Sequence, residues 1–263
     1  MLFGLFGSGK NKKDKVEEYL GELGPASWSF LGSDMHSHLI PGVDDGAQTL
    51  DDSIALITKL QQAGYKSLIT TPHIKGDIYP NNPAIINEGL QQLRQQLHER
   101  GINMPIKAAA EYYIDDTFFR LLKNKELLTI GKNEVLVEVS FMSEPLGFYE
   151  LLFEIQTLGY KPIFAHPERY GFYHNKLEVY NTIKEKGSYL QLNLLSLTGY
   201  YGKGVKQAAE YMLKERLYDY CGTDMHHERH AEAVQKMLTS PVYSMLRNYP
   251  FKNSRLHEYI LAD

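Results

Sequence analysis

Cysteine is nearly absent from this sequence, and Cys221 is the only one among 263 residues. A lone thiol excludes an intramolecular disulfide framework and is typical of a reducing compartment, so we expect a cytoplasmic protein. An enzyme that transfers phosphate through cysteine also needs an arginine a few residues later. The first arginine after Cys221 is Arg229, which is too distant, and the neighbours of Cys221 indicate a buried core thiol. Covalent cysteine catalysis is therefore not expected.

A basic excess and a long apolar run are also missing. The net charge is −4, so no overall positive field attracts nucleic acid, and we expect no nucleic-acid partner. Residues 1–6 are apolar, but a membrane-spanning helix needs about 20 such residues, so no transmembrane segment is expected. We predict that residues 1–24 form a flexible extension and that residues 25–263 form one domain, which is long enough for a substantial core.

The sequence does contain a regular alternation of short apolar runs and longer amphipathic stretches. The apolar runs predict strands at residues 32–36, 67–71, 106–110, 135–139, 162–165, 189–192 and 217–222. The amphipathic stretches predict helices at residues 50–63, 83–100, 115–125, 147–158, 176–186, 205–215 and 230–238. This alternation is typical of consecutive βαβ units with parallel strands. Seven units favour a closed or nearly closed β/α barrel over an open doubly wound sheet, because the glycine-rich dinucleotide-binding turn is missing after the first strand.

Metal-binding side chains follow the predicted strands at their C-terminal ends, where a β/α barrel forms its active site. His36 and His38 lie two residues apart on an extended segment, so they face the same side. The later strand ends add further imidazoles and carboxylates, and the candidate metal ligands are His36, His38, Asp45, His73, Glu111, Glu138, His166, Asp224 and His226. Burial of so many such groups without partners is costly, and a cluster of cations removes that cost.

This ligand set is too large for one tetrahedral zinc and suits two or three divalent ions with bridging carboxylates. Manganese, iron, zinc and magnesium are compatible, and Glu111 and Asp224 are the favoured bridging residues. Asp44 and Asp45 are expected to divide two roles, a loop cap and a ligand. Asn193 is expected to orient a ligand. The remaining histidines have no matching pattern and are expected on the solvated surface: His98, His174, His227, His230 and His257.

Two or three neighbouring ions suit phosphoester hydrolysis, because they activate water and hold both the attacking and the leaving oxygen. Cationic side chains are then needed for the other phosphate oxygens. Arg169 and Arg229 closely follow the predicted ligands His166 and His226, and the guanidinium group matches phosphate geometry. If the leaving group needs a proton, His73 and Asp224 are the candidate donors.

Several of these motifs resemble the polymerase-and-histidinol-phosphatase (PHP) superfamily, whose His-x-His, His, Glu, His and Asp-x-His pattern lies at matching strand ends. More narrowly, His-Ser-His-Leu-Ile-Pro-Gly-Val-Asp-Asp-Gly at residues 36–46 and His-Pro-Glu-Arg-Tyr at residues 166–170 resemble bacterial capsule-biosynthesis protein tyrosine phosphatases of the CpsB/YwqE type. Ala-Glu-Tyr-Tyr at residues 110–113 and Asp-Met-His at residues 224–226 match as well. The resemblance covers nearly all of residues 32–250.

The resemblance implies a distorted (β/α)7 TIM-like barrel of the PHP type, with residues 25–263 as one catalytic domain. It implies a metal-dependent, cysteine-independent phosphatase with manganese as the favoured metal. The implied substrate is phosphotyrosine in the tail of a bacterial tyrosine kinase that regulates capsular or exopolysaccharide synthesis. The family's metal ligands carry over onto the nine residues named above, and its phosphate-binding arginines carry over onto Arg169 and Arg229.

Phosphotyrosine selection requires a pocket that admits an aromatic ring. Tyrosines near the predicted loops are candidates for its walls: Tyr79, Tyr112, Tyr113, Tyr170, Tyr173, Tyr200 and Tyr201. Two other interpretations stay open, a small-molecule phosphatase of the histidinol-phosphate kind and a non-catalytic partner-binding scaffold. The sequence leaves the oligomeric state undetermined.

Overall fold

The computed structural model describes residues 26–262, so the prediction for residues 1–24 lies outside the described part of the chain. After a 3-10 turn at Trp28–Phe30, strands and helices alternate. The strands are β1 (Ser33–Asp34), β2 (Ser67–Thr70), β3 (His73–Ile74), β4 (Ile106–Ala108), β5 (Glu111–Tyr113), β6 (Glu134–Glu138), β7 (Lys161–Ala165), β8 (Tyr189–Asn193) and β9 (Tyr220–Gly222). The helices are α1 (Leu50–Gln62), α2 (Pro83–Glu99), α3 (Asp116–Asn124), α4 (Phe148–Thr157), α5 (Val179–Glu185), α6 (Lys203–Lys214), α7 (Glu228–Met237), α8 (Pro241–Arg247) and α9 (Ser254–Leu261).

The strands pair in parallel and form a curled β-sheet in two parts, within an α/β fold. β1, β2 and β4 are neighbours in one part, and β3, β5, β6, β7, β8 and β9 follow one another in the other part. A parallel bridge between Ser37 and Met225 joins the segments that follow β1 and β9. The carboxyl ends of the strands are thereby gathered at one edge, which is where the sequence places its polar residues.

Two of the predicted strands are interrupted, which corrects the expectation of seven continuous runs. Residues 67–71 contain β2 and are followed by the separate strand β3, and the predicted strand 106–110 ends early, at Ala108 of β4, before the separate strand β5 begins at Glu111. Pro72 lies at the first interruption and has no N–H to donate to a neighbouring strand. The amide of Glu111 lies 3.3 Å from the Thr71 carbonyl and 3.2 Å from the Pro72 carbonyl, so it is shared between them.

The central strands are buried on both faces. Their side chains alternate between an outer and an inner layer, and both layers are packed. On β6, Val135 and Val137 belong to the large core shared with Leu152 and Ile155 of α4. Leu136 belongs to a second, smaller core cluster. Within residues 26–262, no helix combines the length and the apolar character needed to cross a membrane.

Candidate metal centre

The strand ends bring the predicted ligands together in three overlapping groups of donor atoms. Within each group the donor atoms lie within 4.8 Å of one another. The groups are His38, Asp45, His73 and His226; His36, His38, Glu111 and Asp224; and His73, Glu111 and Glu138. His166 stands outside these groups but places Nε2 2.9 Å from Glu111 Oε1. The structure therefore gathers all nine predicted residues around one centre.

The Glu111 carboxylate lies at the centre of this cluster, in contact with several imidazoles. Its Oε2 atom lies 3.1 Å from His36 Nε2, 3.4 Å from His38 Nε2 and 3.3 Å from His73 Nδ1. Glu111 is 1% exposed, so solvent does not separate these groups. A carboxylate has two oxygens to share, which is the reason that a bridging role is predicted for Glu111.

Asp224 is surrounded in the same way, and its Oδ1 atom lies 3.3 Å from His36 Nε2 and 3.4 Å from His226 Nδ1. Asp224 and His166 both have left-handed backbones, with φ of 51° and 33°. Residues other than glycine adopt this region at a cost, and such strain concentrates at functional sites. These two ligands are therefore held in place by the surrounding structure.

The donor set fits divalent cations better than it fits a network of hydrogen bonds alone. His36 Nε2 and His38 Nε2 face each other at 3.3 Å, and only one of two such nitrogens can donate a proton to the other. The buried Nδ1 atoms of His73 and His166 have no hydrogen-bond partner among the described residues. Imidazole and carboxylate donors converging on shared points are the ligand chemistry of divalent transition metals.

Neighbouring side chains fix which ring nitrogen faces the centre. Gln191 Oε1 lies 3.0 Å from His36 Nδ1, and Asp44 Oδ2 lies 2.7 Å from His38 Nδ1. Both rings therefore present Nε2 to the cluster, as is usual for ligating histidines with an outer partner. Asp44 also accepts from the Gly46 amide, whereas Asp45 lies in one of the three donor groups.

The imidazoles and carboxylates of the centre shift one another's pKa values. Burial alone would raise the pKa of Glu111, but the His36 and His73 imidazoles lower it well below its ordinary value. Burial alone would lower the pKa of His36, but the Glu111 and Asp224 carboxylates raise it to about 9. The side-chain hydrogen bond with His226 is the largest of the effects that lower the pKa of Asp45. The lowered pKa values of Glu111 and Asp45 favour the ionised carboxylate, which suits cation binding.

A cavity of about 370 Å³ opens above this cluster. Among the described residues, Arg169 is the only arginine or lysine that lines it. Arg169 Nη1 donates to Asp224 Oδ2 at 2.7 Å, and Asn193 Nδ2 donates to the same oxygen at 2.8 Å. The expectation that Asn193 orients a ligand agrees with this contact. The guanidinium lies 4.3 Å from the Tyr201 ring centroid, which holds it at the cavity wall.

Arg229 is not brought into the cavity. It is exposed in the first turn of α7, and the residues that line the cavity do not include it. His230, expected on the solvated surface, is instead 7% exposed and lines the cavity, and His227 lines it too. α7 begins at Glu228, so Arg229 and His230 lie on different faces of one helix.

Several further residues had no functional assignment from the sequence or were placed differently. Phe141 and Gln191 carried no assigned role, yet one lines the cavity and the other holds His36. Of the candidate pocket tyrosines, Tyr200 and Tyr201 line the cavity, whereas Tyr112, Tyr170 and Tyr173 are buried in the core. Cys221 is buried, and burial raises the pKa of its thiol, which confirms the prediction of a core thiol.

The chain matches a family model described as capsular polysaccharide synthesis, CpsB/CapC, over residues 32–244. It is 29% identical over 194 residues to the tyrosine-protein phosphatase YwqE of Bacillus subtilis, covering 73% of this chain and 76% of that protein. It is 28% identical over 199 residues to the tyrosine-protein phosphatase CpsB of Streptococcus agalactiae, covering 73% of this chain and 82% of that protein.

A solved structure leads to the same family. A chain from the crystal structures of YwqE from Bacillus subtilis and CpsB from Streptococcus pneumoniae matches with a TM-score of 0.74 at 26% identity. The match covers 87% of this chain and 92% of that chain, and those proteins are described as unique metal-dependent tyrosine phosphatases. The ligand cluster and these matches agree, and this chain belongs to the CpsB/CapC family of capsular polysaccharide synthesis.

Proposed function

We propose that this protein is a metal-dependent protein tyrosine phosphatase. Its substrate is phosphotyrosine on a bacterial tyrosine kinase that regulates capsular or exopolysaccharide synthesis. The observation that carries the proposal is the convergence of nine imidazole and carboxylate side chains beneath a cavity that contains Arg169. Membership of a family whose relatives are named tyrosine-protein phosphatases supports the substrate class.

Two or three divalent ions are the proposed cofactors, with manganese favoured and iron, zinc or magnesium compatible. Three overlapping donor groups support this number. The ions would be held by His36, His38, Asp45, His73, Glu111, Glu138, His166, Asp224 and His226. When bound, they supply Lewis acidity at the phosphoryl group and an activated water at neutral pH.

The protein's own side chains bind and orient the phosphate. Arg169 presents its remaining N–H donors to the non-bridging phosphate oxygens, while its contact with Asp224 fixes the guanidinium. Asp224 was one candidate proton donor, but Oδ2 accepts from Arg169 and Asn193 and Oδ1 lies within the imidazole cluster. His73, the other candidate, is also one of the proposed metal ligands, so it could donate a proton only through the ring nitrogen that does not bind metal. A tyrosine leaving group with a pKa of about 10 reduces the need for either.

The architecture we propose is a distorted (β/α)7 barrel of the PHP type, formed by residues 25–263 as one catalytic domain. The Ser37–Met225 bridge supports closure between the first and last strands. The hydrogen bond from the Asp224 amide to the His36 carbonyl, at 2.8 Å, supports it further. A cytoplasmic location suits the single buried thiol and the proposed kinase partner.

The test is phosphate release from a phosphotyrosyl peptide by manganese-loaded protein, with bound metal measured on the same sample. We expect activity on the peptide to exceed activity on histidinol phosphate, and the double variant H36A/H38A to lose nearly all activity. A reversed substrate preference would favour the histidinol-phosphate type of enzyme. Absence of both bound metal and phosphate release would leave the partner-binding scaffold as the explanation.

A further inference from the structure

The cavity above the ligand cluster has exposed aromatic walls. Phe141, in the loop after β6, and Tyr200, in the loop before α6, each leave 45% of their surface exposed, and both line the cavity. Phe141 has no donor atom for a metal, and neither ring carries the positive charge needed to hold phosphate. Metal and phosphate chemistry therefore do not explain why these two side chains stand beside the cluster.

Both rings are held in place by partners behind them, in spite of their exposure. Phe141 stacks on Tyr170 with a centroid distance of 5.2 Å and on the ligand His166 at 5.7 Å. Tyr200 makes edge contacts with Tyr201 at 5.0 Å and with His230 at 5.2 Å. These walls are therefore preorganised, and a ligand that enters the cavity need not first order them.

Arg169 connects the two aromatic walls. Its guanidinium carbon lies 5.0 Å from the Phe141 centroid and 4.3 Å from the Tyr201 centroid, while Nη1 is bonded to Asp224. The phosphate-binding group and the aromatic rings consequently occupy one small volume. A ligand with an aryl ring directly attached to phosphate can engage both features together, whereas an alkyl phosphate engages only the guanidinium.

We propose that Phe141 and Tyr200 form a slot that binds the aryl ring of the substrate and so selects aryl over alkyl phosphate monoesters. This inference rests on the proposed phosphatase function and assigns its specificity to two named side chains. The cavity volume of about 370 Å³ is near the lower end of the range for small-ligand pockets, which suits a single aryl phosphate group.

Isolated exposed apolar residues are ordinary on protein surfaces, so a matched control is required. Phe153 provides it, because this phenylalanine of α4 is 66% exposed and does not line the cavity. Phe141→Ala and Phe153→Ala both remove an exposed phenyl ring, and neither removes a fully buried side chain. Tyr200→Ala tests the second wall independently.

The experiment measures the binding of phenylphosphonate and methylphosphonate to the manganese-loaded full chain by calorimetry. Neither compound is a phosphate ester, so binding is read without turnover. Wild-type protein and F153A should prefer phenylphosphonate. F141A and Y200A should each weaken phenylphosphonate binding by about tenfold, since an aromatic contact and its buried area are lost. Methylphosphonate binding should stay within about twofold of wild type, because in both variants Arg169 keeps its hydrogen bond to Asp224 and its contact with the Tyr201 ring.

The outcomes separate this inference from the proposed function. Equal weakening of both phosphonates in F141A, or no preference in the wild type, would overturn the slot even if the protein releases phosphate from phosphotyrosine. Conversely, an aryl preference that F141A abolishes supports the slot even if no phosphate release is found. In the active enzyme, the same variant should lower kcat/KM for phosphotyrosyl peptide more than for phosphoseryl peptide.

Discussion

Gln191 offers the sharpest test of how the protein orients its metal ligands. This fully buried side chain uses Oε1 to accept from His36 Nδ1 at 3.0 Å and from the His166 amide at 3.1 Å, while Nε2 donates to the Leu192 carbonyl at 2.7 Å. Gln191→Leu keeps a similar volume but removes the acceptor. His36 and His166, two of the proposed metal ligands, then each lose a hydrogen-bond partner through one substitution.

The expected size of the effect follows from those two contacts. Each buried N–H left without an acceptor costs about 1–3 kcal/mol, so the loss of both contacts in Q191L should lower the free energy of unfolding by about 2–6 kcal/mol. Without an acceptor at Nδ1, the His36 ring is free to change tautomer and turn Nε2 away from Glu111. Loss of such outer partners lowers metal affinity by about 10–100-fold.

Urea unfolding of the metal-free protein measures the first quantity, and competition with a chelator measures manganese affinity. The matched control is Gln156→Leu, because Gln156 donates to the Leu152 and Lys186 carbonyls at 3.1 and 3.0 Å and does not line the cavity. Q156L should cost stability and leave metal affinity unchanged. A Q191L protein with wild-type manganese affinity would refute the idea that Gln191 sets the orientation of His36.

Three further predictions follow from the same centre. R169A should lower kcat by about 10²–10³-fold because a preorganised phosphate donor is lost, whereas R229A should stay close to wild type; equal losses in the two variants would place Arg229 in the site. C221A should keep activity, and the wild type should resist iodoacetamide because its thiol is buried; strong inhibition of the wild type would contradict a buried thiol. In chelator-treated protein, the pKa of His36 is raised to about 9, above its unfolded value of about 6.5. The stability that protonated His36 contributes is therefore complete below about pH 6.5 and is lost as the pH rises towards 9. Urea unfolding across this pH range should show that the free energy of unfolding falls in the wild type and falls less in H36Q. Parallel curves of unfolding free energy against pH would exclude His36 as the source of the fall.

The convergence of the ligands could be predicted because it depends on rules that hold for parallel sheets in general. Strands that alternate with helices run in the same direction, so their carboxyl ends meet at one edge wherever each strand lies in the sequence. His36, Glu138 and His166 are separated by long stretches of chain, yet each follows or ends a predicted strand. Position at a strand end was therefore enough to predict that they lie together.

Arg229 shows where sequence distance fails as a guide. Three residues after His226, the chain has already entered α7, and successive residues of a helix point in different directions. His230, Val234 and Met237 form the buried face of α7, and Arg229 lies off that face. The spacing of these three residues was present in the sequence and would have identified His230 as inward-facing.

Phe141 and Gln191 differ in how far the sequence reveals them. Gln191 shares its side of β8 with Asn193 because side chains alternate along a strand, so strand parity was an available signal for it. Phe141 lies in a loop, where no periodicity constrains direction, and an exposed phenylalanine near a metal cluster has no sequence signature. Its position depends on stacking against His166 and Tyr170, which are distant in the chain.

The interruptions of the sheet explain how one edge of the sheet accommodates so many candidate ligands. Thr70 pairs with Ala108, and after two residues in each chain segment His73 pairs with Glu111. Because both neighbouring segments are interrupted at the same level, they restart in register, and β5 then pairs with β6 while β4 does not. His73 and Glu111 are thus first residues of new strands placed directly opposite each other, and both belong to the donor group that includes Glu138. A pair of uninterrupted strands would place its candidate ligands at a single height along the strands. Because both strands break and restart together, a second height becomes available, and a further donor group can form there.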